Sequence, residues 1–252
     1  LSIANLAVGT YDLTVTAFDG CQAFLSQLIT EPTALTSAGI VTDENCFGGA
    51  TGGVDFIPGG GTLPYAYLWS NGATSEDLAS LIAGTYSVLL TDSNGCVLND
   101  TFTVIEPTQM VLSNTVSSVS CGGGNDGSID LTVTGGTPNY SYVWSSGQIS
   151  ADLSGLIQGT YYVTVTDQGG CTAIDSATIT EPSVIALTID STDVLCNGGS
   201  DGVIDLTAAG GTLPYTYLWS NAATSEDLSG LLPGNYSVDV TDSLGCTASI
   251  GT

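Results

Sequence analysis

The sequence contains no lysine, no arginine and no histidine, against 25 aspartates and glutamates, for a formal net charge of -25. Each absence removes a class of function. Nucleic-acid binding needs cations that displace the counterions of phosphate, and the chain has none. Attraction to anionic headgroups fails for the same reason. A Ser-His-Asp triad, a phosphate-cradling lysine, a Schiff base and a histidine-ligated metal are chemically unavailable. Side-chain salt bridges cannot form either, so stability must come from apolar burial, the backbone ladder and cross-links. Trypsin has no site to cut, which suits a salty, protease-rich exterior. No apolar run approaches the ~18–20 residues of a transmembrane helix. The hydrophobic content of 42% is nevertheless that of a folding sequence, not of a disordered acidic tail.

What is present is repetition. Trp69, Trp144 and Trp219 stand 75 residues apart, as do Gly9, Gly84, Gly159 and Gly234. Cys21, Cys96, Cys171 and Cys246 keep the same interval, and so do Cys46, Cys121 and Cys196 and the Glu-Pro pairs that begin at Glu31, Glu106 and Glu181. A fixed period without insertion means one structural unit copied in tandem. A unit of this length can hold a small core of its own, unlike a solenoid repeat of ~20–45 residues. The expected division is 1–33 as the C-terminal half of a repeat, 34–108 and 109–183 as complete repeats, and 184–252 as a repeat truncated at its last strand. No signal peptide is legible, and because Leu1 aligns with Glu76 and Thr252 with Ala177 an excerpt from a longer array is expected.

Within a repeat the composition is that of strands, with Val, Ile, Thr and Tyr alternating between clusters of Gly, Asn, Asp and Pro. In the copy from 109, a first strand over Met110 to Ser120 ends at Cys121-Gly-Gly-Gly-Asn-Asp-Gly127. Ile129, Leu131 and Val133 then alternate with polar residues, as in a half-buried strand. Gly135-Gly136-Thr137-Pro138 turns the chain, and Tyr140, Tyr142 and Trp144 share one face of a third strand. That phase sends the aromatics to the core and not to a sugar-binding platform. Leu153 and Leu156 mark a brief edge strand; Tyr161, Val163 and Val165 face inward on the next; Asp167 to Gly170 is a hairpin turn, after which Ala177 and Ile179 face inward. Glu-Pro closes the unit, since proline has no donor with which to continue a ladder. The predicted architecture is all-β, a tandem array of immunoglobulin-like β-sandwich domains with a 75-residue period. Propeller blades and β-helix coils are too short for this period.

Gly-Gly-Thr-Leu-Pro-Tyr-x-Tyr-Leu-Trp-Ser-Asn at 60–71 and 210–221, followed by Ser-Glu-Asp-Leu, Gly-Thr-Tyr, Thr-Asp-x-x-Gly-Cys and Glu-Pro, resembles the SprB repeat family. The resemblance covers essentially the whole chain, and it is similar to PKD-type sandwiches as well. It implies a very large cell-surface adhesin of a gliding Bacteroidetes bacterium: type IX export, display as long filaments and adhesion to a substratum. It also raises O-glycosylation at Asp-Ser sites, for which Ser176, Ser191 and Ser243 are the candidates.

Seven cysteines in a repeat of secreted character, with no CxxC pair, read as disulfides and not as zinc ligands. In a sandwich of this topology the first turn, with Cys46, Cys121 or Cys196, lies at the outgoing end, and the last hairpin, with Cys21, Cys96, Cys171 or Cys246, at the incoming end. Within one domain these stand roughly 25 Å apart at ~3.4 Å per residue, far beyond the ~7 Å Cα limit of a disulfide. Across a junction they meet. The favoured pairs are therefore Cys46–Cys171 and Cys121–Cys246, with partners outside the chain for Cys21, Cys96 and Cys196. The rival is an intradomain set, Cys46–Cys96, Cys121–Cys171 and Cys196–Cys246.

Acidic loops at such junctions could also take Ca²⁺, and Asn125, Asp126, Glu181 and Asp242 are the candidate oxygen ligands, although each is equally a turn residue. No other cofactor is expected. The Ser-Glu-Asp triplets at 75–77 and 225–227 recur with the repeat, which is a poor way to build one catalytic cleft, so the chain is not read as an enzyme. Two functions remain. One is a structural stalk in an extracellular filament or giant adhesin on a bacterial surface, giving reach of roughly 30–40 Å per repeat and stiffness for attachment and gliding. Its partners would be neighbouring repeats and identical chains. The other is a multivalent module whose every repeat binds polysaccharide.

Overall fold

The computed structural model describes residues 3–252; Leu1 and Ser2, where the first partial repeat begins, lie outside the described residues. The chain divides into two compact units, one ending at Pro107 and the other spanning Thr108–Thr252. Every regular element among the described residues is a β-strand, and every pairing is antiparallel.

The first unit begins with a hairpin, β1 (Gly9–Thr16) and β2 (Gln22–Ile29). Six strands follow: β3 (Thr36–Thr42), β4 (Gly52–Gly59), β5 (Ala66–Trp69), β6 (Leu78–Leu81), β7 (Gly84–Thr91) and β8 (Val97–Val104). They form two sheets, ordered β3-β4-β6 and β5-β7-β8. The second unit holds this six-strand pattern twice. Its first copy comprises β9 (Val111–Ser117), β10 (Gly127–Thr134), β11 (Ser141–Trp144), β12 (Leu153–Leu156), β13 (Gly159–Thr166) and β14 (Thr172–Ile179). Its second comprises β15 (Ala186–Thr192), β16 (Gly202–Ala209), β17 (Thr216–Trp219), β18 (Leu228–Leu231), β19 (Ser237–Thr241) and β20 (Thr247–Gly251). Their sheets are β9-β10-β12 with β11-β13-β14, and β15-β16-β18 with β17-β19-β20. Three strands face three, the immunoglobulin-like sandwich that the alternation requires.

The cores follow the predicted phase. Trp144, Ile129, Leu131, Leu153, Leu156, Val163, Val165, Ala177 and Ile179 pack in one cluster, and residues 75 positions away form the other two. Trp69, Trp144 and Trp219 are each 2% exposed. A buried indole N–H needs an acceptor. Trp144 Nε1 donates to the Ser150 carbonyl at 3.0 Å, and Trp69 and Trp219 do the same to Ser75 and Ser225 at 2.9 Å.

Each tyrosine that opens the penultimate strand donates its hydroxyl four residues back, Tyr161 to the Ile157 carbonyl at 3.0 Å and Tyr86 to that of Ile82 at 2.9 Å. This is the tyrosine corner of immunoglobulin-like sandwiches. The first strand is shorter than the sequence predicts. It stops at Ser117 because Val119 turns into the core, 3% exposed, and gives its N–H to the Thr180 carbonyl at 3.0 Å.

The Ser-x-Asp triplets are architectural. β12 pairs with β10 over only a few residues and through a register shift. The amide of Leu131 donates instead to Asp152 Oδ1 at 3.0 Å, as Phe56 does to Asp77 and Leu206 to Asp227. The preceding serine closes the turn, Ser150 Oγ donating to the Asp152 carbonyl at 2.7 Å. A carboxylate thus stands in for a missing strand neighbour.

Candidate functional site

The best-defined constellation is the junction between the two sandwiches of the second unit. Cys121, in the turn after β9, is bonded to Cys246, in the hairpin turn before β20, with S–S 2.07 Å and Cα–Cα 5.5 Å. This pairing excludes the intradomain alternatives Cys121–Cys171 and Cys196–Cys246.

Both turns are fixed by carboxylates that accept backbone N–H groups. On one side Cys121 opens a tight turn, with the Gly124 amide donating to its carbonyl at 2.9 Å. The Gly123 amide donates to Glu181 Oε2 at 2.7 Å, so the Glu-Pro punctuation folds back onto the turn 58 residues earlier. Asp126 Oδ1 accepts the Ser120 amide at 3.0 Å, and this hydrogen bonding holds its carboxyl below 3.8. Gly122 has no room for a side chain. A Cβ there would lie 2.7 Å from Val184 Cγ1 and 2.9 Å from both the Pro182 oxygen and the Val184 nitrogen.

On the other side Asp242, only 5% exposed, accepts amides from Leu244 and Cys246 through one oxygen at 2.9 Å, and from Thr212 through the other at 2.9 Å. Burial alone would raise its carboxyl, but the amides of Thr212, Cys246, Leu244 and Gly245 outweigh it and hold it below 3.8. Asp92 and Asp167 repeat the arrangement in the other two sandwiches, equally buried, with the Thr62 and Thr137 amides at 3.0 and 2.8 Å. This buried aspartate ties the Gly-Gly-Thr turn to the cysteine-bearing hairpin and presents the cysteine at the sandwich end. Sequence reasoning took it for an ordinary turn residue. The signal was its identity at 92, 167 and 242 while the next two residues change, although the first, partial repeat has Ala17 there.

The remaining site residues fall as follows. Cys21, Cys96 and Cys196 are exposed free thiols. Among the described residues no group of three or more His, Cys, Asp or Glu is placed to hold a metal ion. Of the four calcium candidates, Asp126, Glu181 and Asp242 give oxygens to backbone amides of the turns, and Asn125 is exposed. Ser176 lies exposed on β14, Ser191 exposed on β15, and Ser243 exposed with its hydroxyl donating to the Thr212 carbonyl at 2.9 Å.

The SprB repeat matches residues 38–74, 113–149 and 188–224, each starting two residues into the first strand of a sandwich. Three matches to the SprB repeat, 75 residues apart, thus stand in this chain. No curated protein matches it. Among solved structures it is similar to the N-terminal eight Ig domains of Down Syndrome Cell Adhesion Molecule isoform 1.30.30, with 10% identity and TM-score 0.34, covering 97% of this chain and 50% of that one. It is also similar to cadherin domains 1–4 of Protocadherin Gamma B7, with 9% identity and TM-score 0.32, covering 99% and 71%. The chain therefore spans about half the length of the eight-domain structure. Its SprB repeats mark it as an adhesin-like extracellular repeat region.

Proposed function

We propose that the chain is a stalk segment of a long extracellular filament or giant surface adhesin, with a mechanical and not a catalytic role. The observation that carries this reading is the Cys121–Cys246 bond, which adds a second covalent tie between successive repeats beside the peptide linker. Burial of all three tryptophans supports it, because the aromatic strand of each repeat is spent on its own core. On this reading the repeats run 34–108, 109–183 and 184–252, preceded by the half-repeat 1–33.

Translating the bond back by one 75-residue period pairs Cys46 with Cys171. Cys21, Cys96 and Cys196 would then serve junctions with further repeats. The SprB resemblance adds display on a bacterial surface by type IX export, a part in gliding, and sugars on Ser176, Ser191 and Ser243.

The second reading, polysaccharide binding by every repeat, draws on an apolar row on the outer face of one sheet. Val143, Thr164 and Ile174 lie side by side there, with Tyr162 beyond, and Val143, Ile174 and Tyr162 are more than half exposed. The matching positions are Leu68, Leu89 and Asn99 in one sister repeat and Leu218, Asp239 and Ser249 in the other, so the row is not a repeated site. It ranks second for that reason.

Electron microscopy of the native protein tests the stalk. A thin beaded thread, with no retention of the purified chain on surface polysaccharide, is the expected result. Compact particles, or tight glycan binding that rises with repeat number, would overturn it.

A further inference from the structure

We infer that the Cys121–Cys246 bond reroutes tension around the folded cores of the second unit, so that a pull across that unit loads β9 and β20 and leaves the loop between the two cysteines slack. The inference rests on the stalk reading for its biological sense but on covalent connectivity alone for its mechanics. Force entering the second unit at Thr108 runs along β9 to Cys121, crosses the sulfur bridge, and leaves along β20 after Cys246. The two cysteines are 125 positions apart in sequence yet 5.5 Å apart at Cα. With this bond alone, everything from 122 to 245, which includes β10 to β19 and most of two cores, lies on a closed loop outside the path that an end-to-end pull straightens; the proposed Cys46–Cys171 bond would bring only 121–171 back into that path.

The two loaded strands are pulled from both of their own ends, not peeled from a neighbour. Strand backbone already rises ~3.3–3.4 Å per residue, and a fully stretched chain reaches only ~3.3–3.6 Å per residue. β9 and β20 therefore have almost no slack to give. Domains in an unstapled string would unravel one by one under load; with the Cys121–Cys246 bond alone the loop can unfold and refold without changing the length of the thread. The closeness of the turns keeps the path short, since Gly122 lies against Pro182 and Val184 with no room for a Cβ, and Asp242 holds the Cys246 amide.

Single-molecule pulling on the full chain, held at its two termini with Cys21, Cys96 and Cys196 alkylated, tests this directly. With the bond intact only residues 1–121 and 246–252 can be paid out, roughly 420–460 Å at ~3.3–3.6 Å per residue. After reduction all 252 residues are available, roughly 830–910 Å on the same scale, and rupture events from two further sandwiches appear. The proposed Cys46–Cys171 bond would shorten the oxidised trace to roughly 340–370 Å, and Cys121→Ser would then lengthen it to roughly 420–460 Å. Because the readout is the fully extended length, it holds whether or not the variant folds. Equal lengths with and without reductant, or an oxidised chain that pays out more than roughly 460 Å, would overturn the inference. A chain that passes this test but binds polysaccharide through each repeat would leave the load path standing and remove the stalk reading.

Discussion

Replacing both Cys121 and Cys246 by serine should destabilise each sandwich of the second unit by a similar amount, and the two separate losses should sum to more than the loss for unfolding both together. In the chain-entropy account a cross-link acts by closing a loop in the unfolded chain, and the gain grows only logarithmically with loop length. The bridge spans 125 residues, for which the account gives about 5 kcal/mol. The whole loop is disordered only when both sandwiches are unfolded. With residues 184–252 still folded, Cys246 is fixed close to Ser183, since both line one cavity at the junction. Unfolding 109–183 then frees a loop from Cys121 to about Ser183, near 60 residues, worth about 4 kcal/mol. The converse case is almost the same, because the folded first sandwich holds Cys121 beside Pro182.

Each sandwich should therefore lose up to about 4 kcal/mol, while losing both costs about 5 and not 8. For domains of this size about 4 kcal/mol is roughly 15–30 °C in melting midpoint. Calorimetry of the oxidised wild type against the double variant, with every other cysteine unchanged, measures it. A midpoint within two or three degrees of wild type would refute the reasoning. So would a loss confined to one sandwich, which would mean that the bridge braces one turn and does not close a loop across two cores.

Three other predictions follow from the side chains. Glu44 is 5% exposed with one buried oxygen lacking a partner, while its other oxygen accepts the Thr51 amide and hydroxyl at 2.8 Å; the sister repeats place Val119 with Asp126 and Val194 with Asp201. Thermal melts should show Glu44→Val combined with Thr51→Asp above wild type by a few degrees, and above Glu44→Val alone; a double variant below the single would reject the swap. Burial raises, but amide donors more strongly lower, the carboxyls of Asp92, Asp167 and Asp242, which end below 3.8. The stability they supply is complete above pH 3.8 and is lost as pH falls through their lower folded values, so circular dichroism should report a flat midpoint from pH 5 to 8 and an acid transition beginning below about 4. A loss starting near pH 5 would point to other groups. Gly135 has φ 74° and a Cβ there would sit 2.0 Å from the Gln109 carbonyl oxygen, so Gly135→Ala should unfold its sandwich or cost more than about 3 kcal/mol in urea titration.

Periodicity made the fold legible. A tryptophan every 75 residues fixed the phase of the third strand, and Tyr161, Val163 and Val165 fixed that of the fifth, because strand parity leaves two choices and only one buries the aromatics. The strand ends were less legible: Val119 falls on the opposite parity to Leu112 and Asn114, but nothing local names the Thr180 carbonyl that receives its amide and shows the ladder has been left. The buried aspartates were hidden for a different reason. Asp-x-x-Gly is so common a hairpin turn that its composition does not say whether the carboxylate faces water or, as at Asp167, an amide 30 residues away at Thr137. Glu106 and Glu181 were read as punctuation, whereas each reaches 58 residues back to the amide of Gly48 or Gly123. Long-range partners of this kind leave no local pattern. They are visible only as letters that recur at the period, in the three later copies for the aspartate and in all three Glu-Pro pairs for the glutamate.

Those contacts explain how a chain without one basic side chain stays folded at a net charge of -25. A carboxylate without a cation can still be satisfied by backbone donors, and such charge-assisted hydrogen bonds are stronger than neutral ones. Asp77, Asp152 and Asp227 take amides freed by an incomplete ladder, Asp92, Asp167 and Asp242 take amides of two turns each, and Glu106 and Glu181 take the amide of the cysteine turn. In each case the acid replaces a piece of secondary structure that the short strands cannot supply, so the charge is built into the frame and is not a coating on it. The arrangement has a mechanical corollary. Backbone amides are fixed in place by the fold, unlike the flexible stems of lysine or arginine, and a turn held by them presents its cysteine in one position. The bridge between Cys121 and Cys246 depends on that constancy, because a disulfide tolerates little error in the approach of its two Cα atoms.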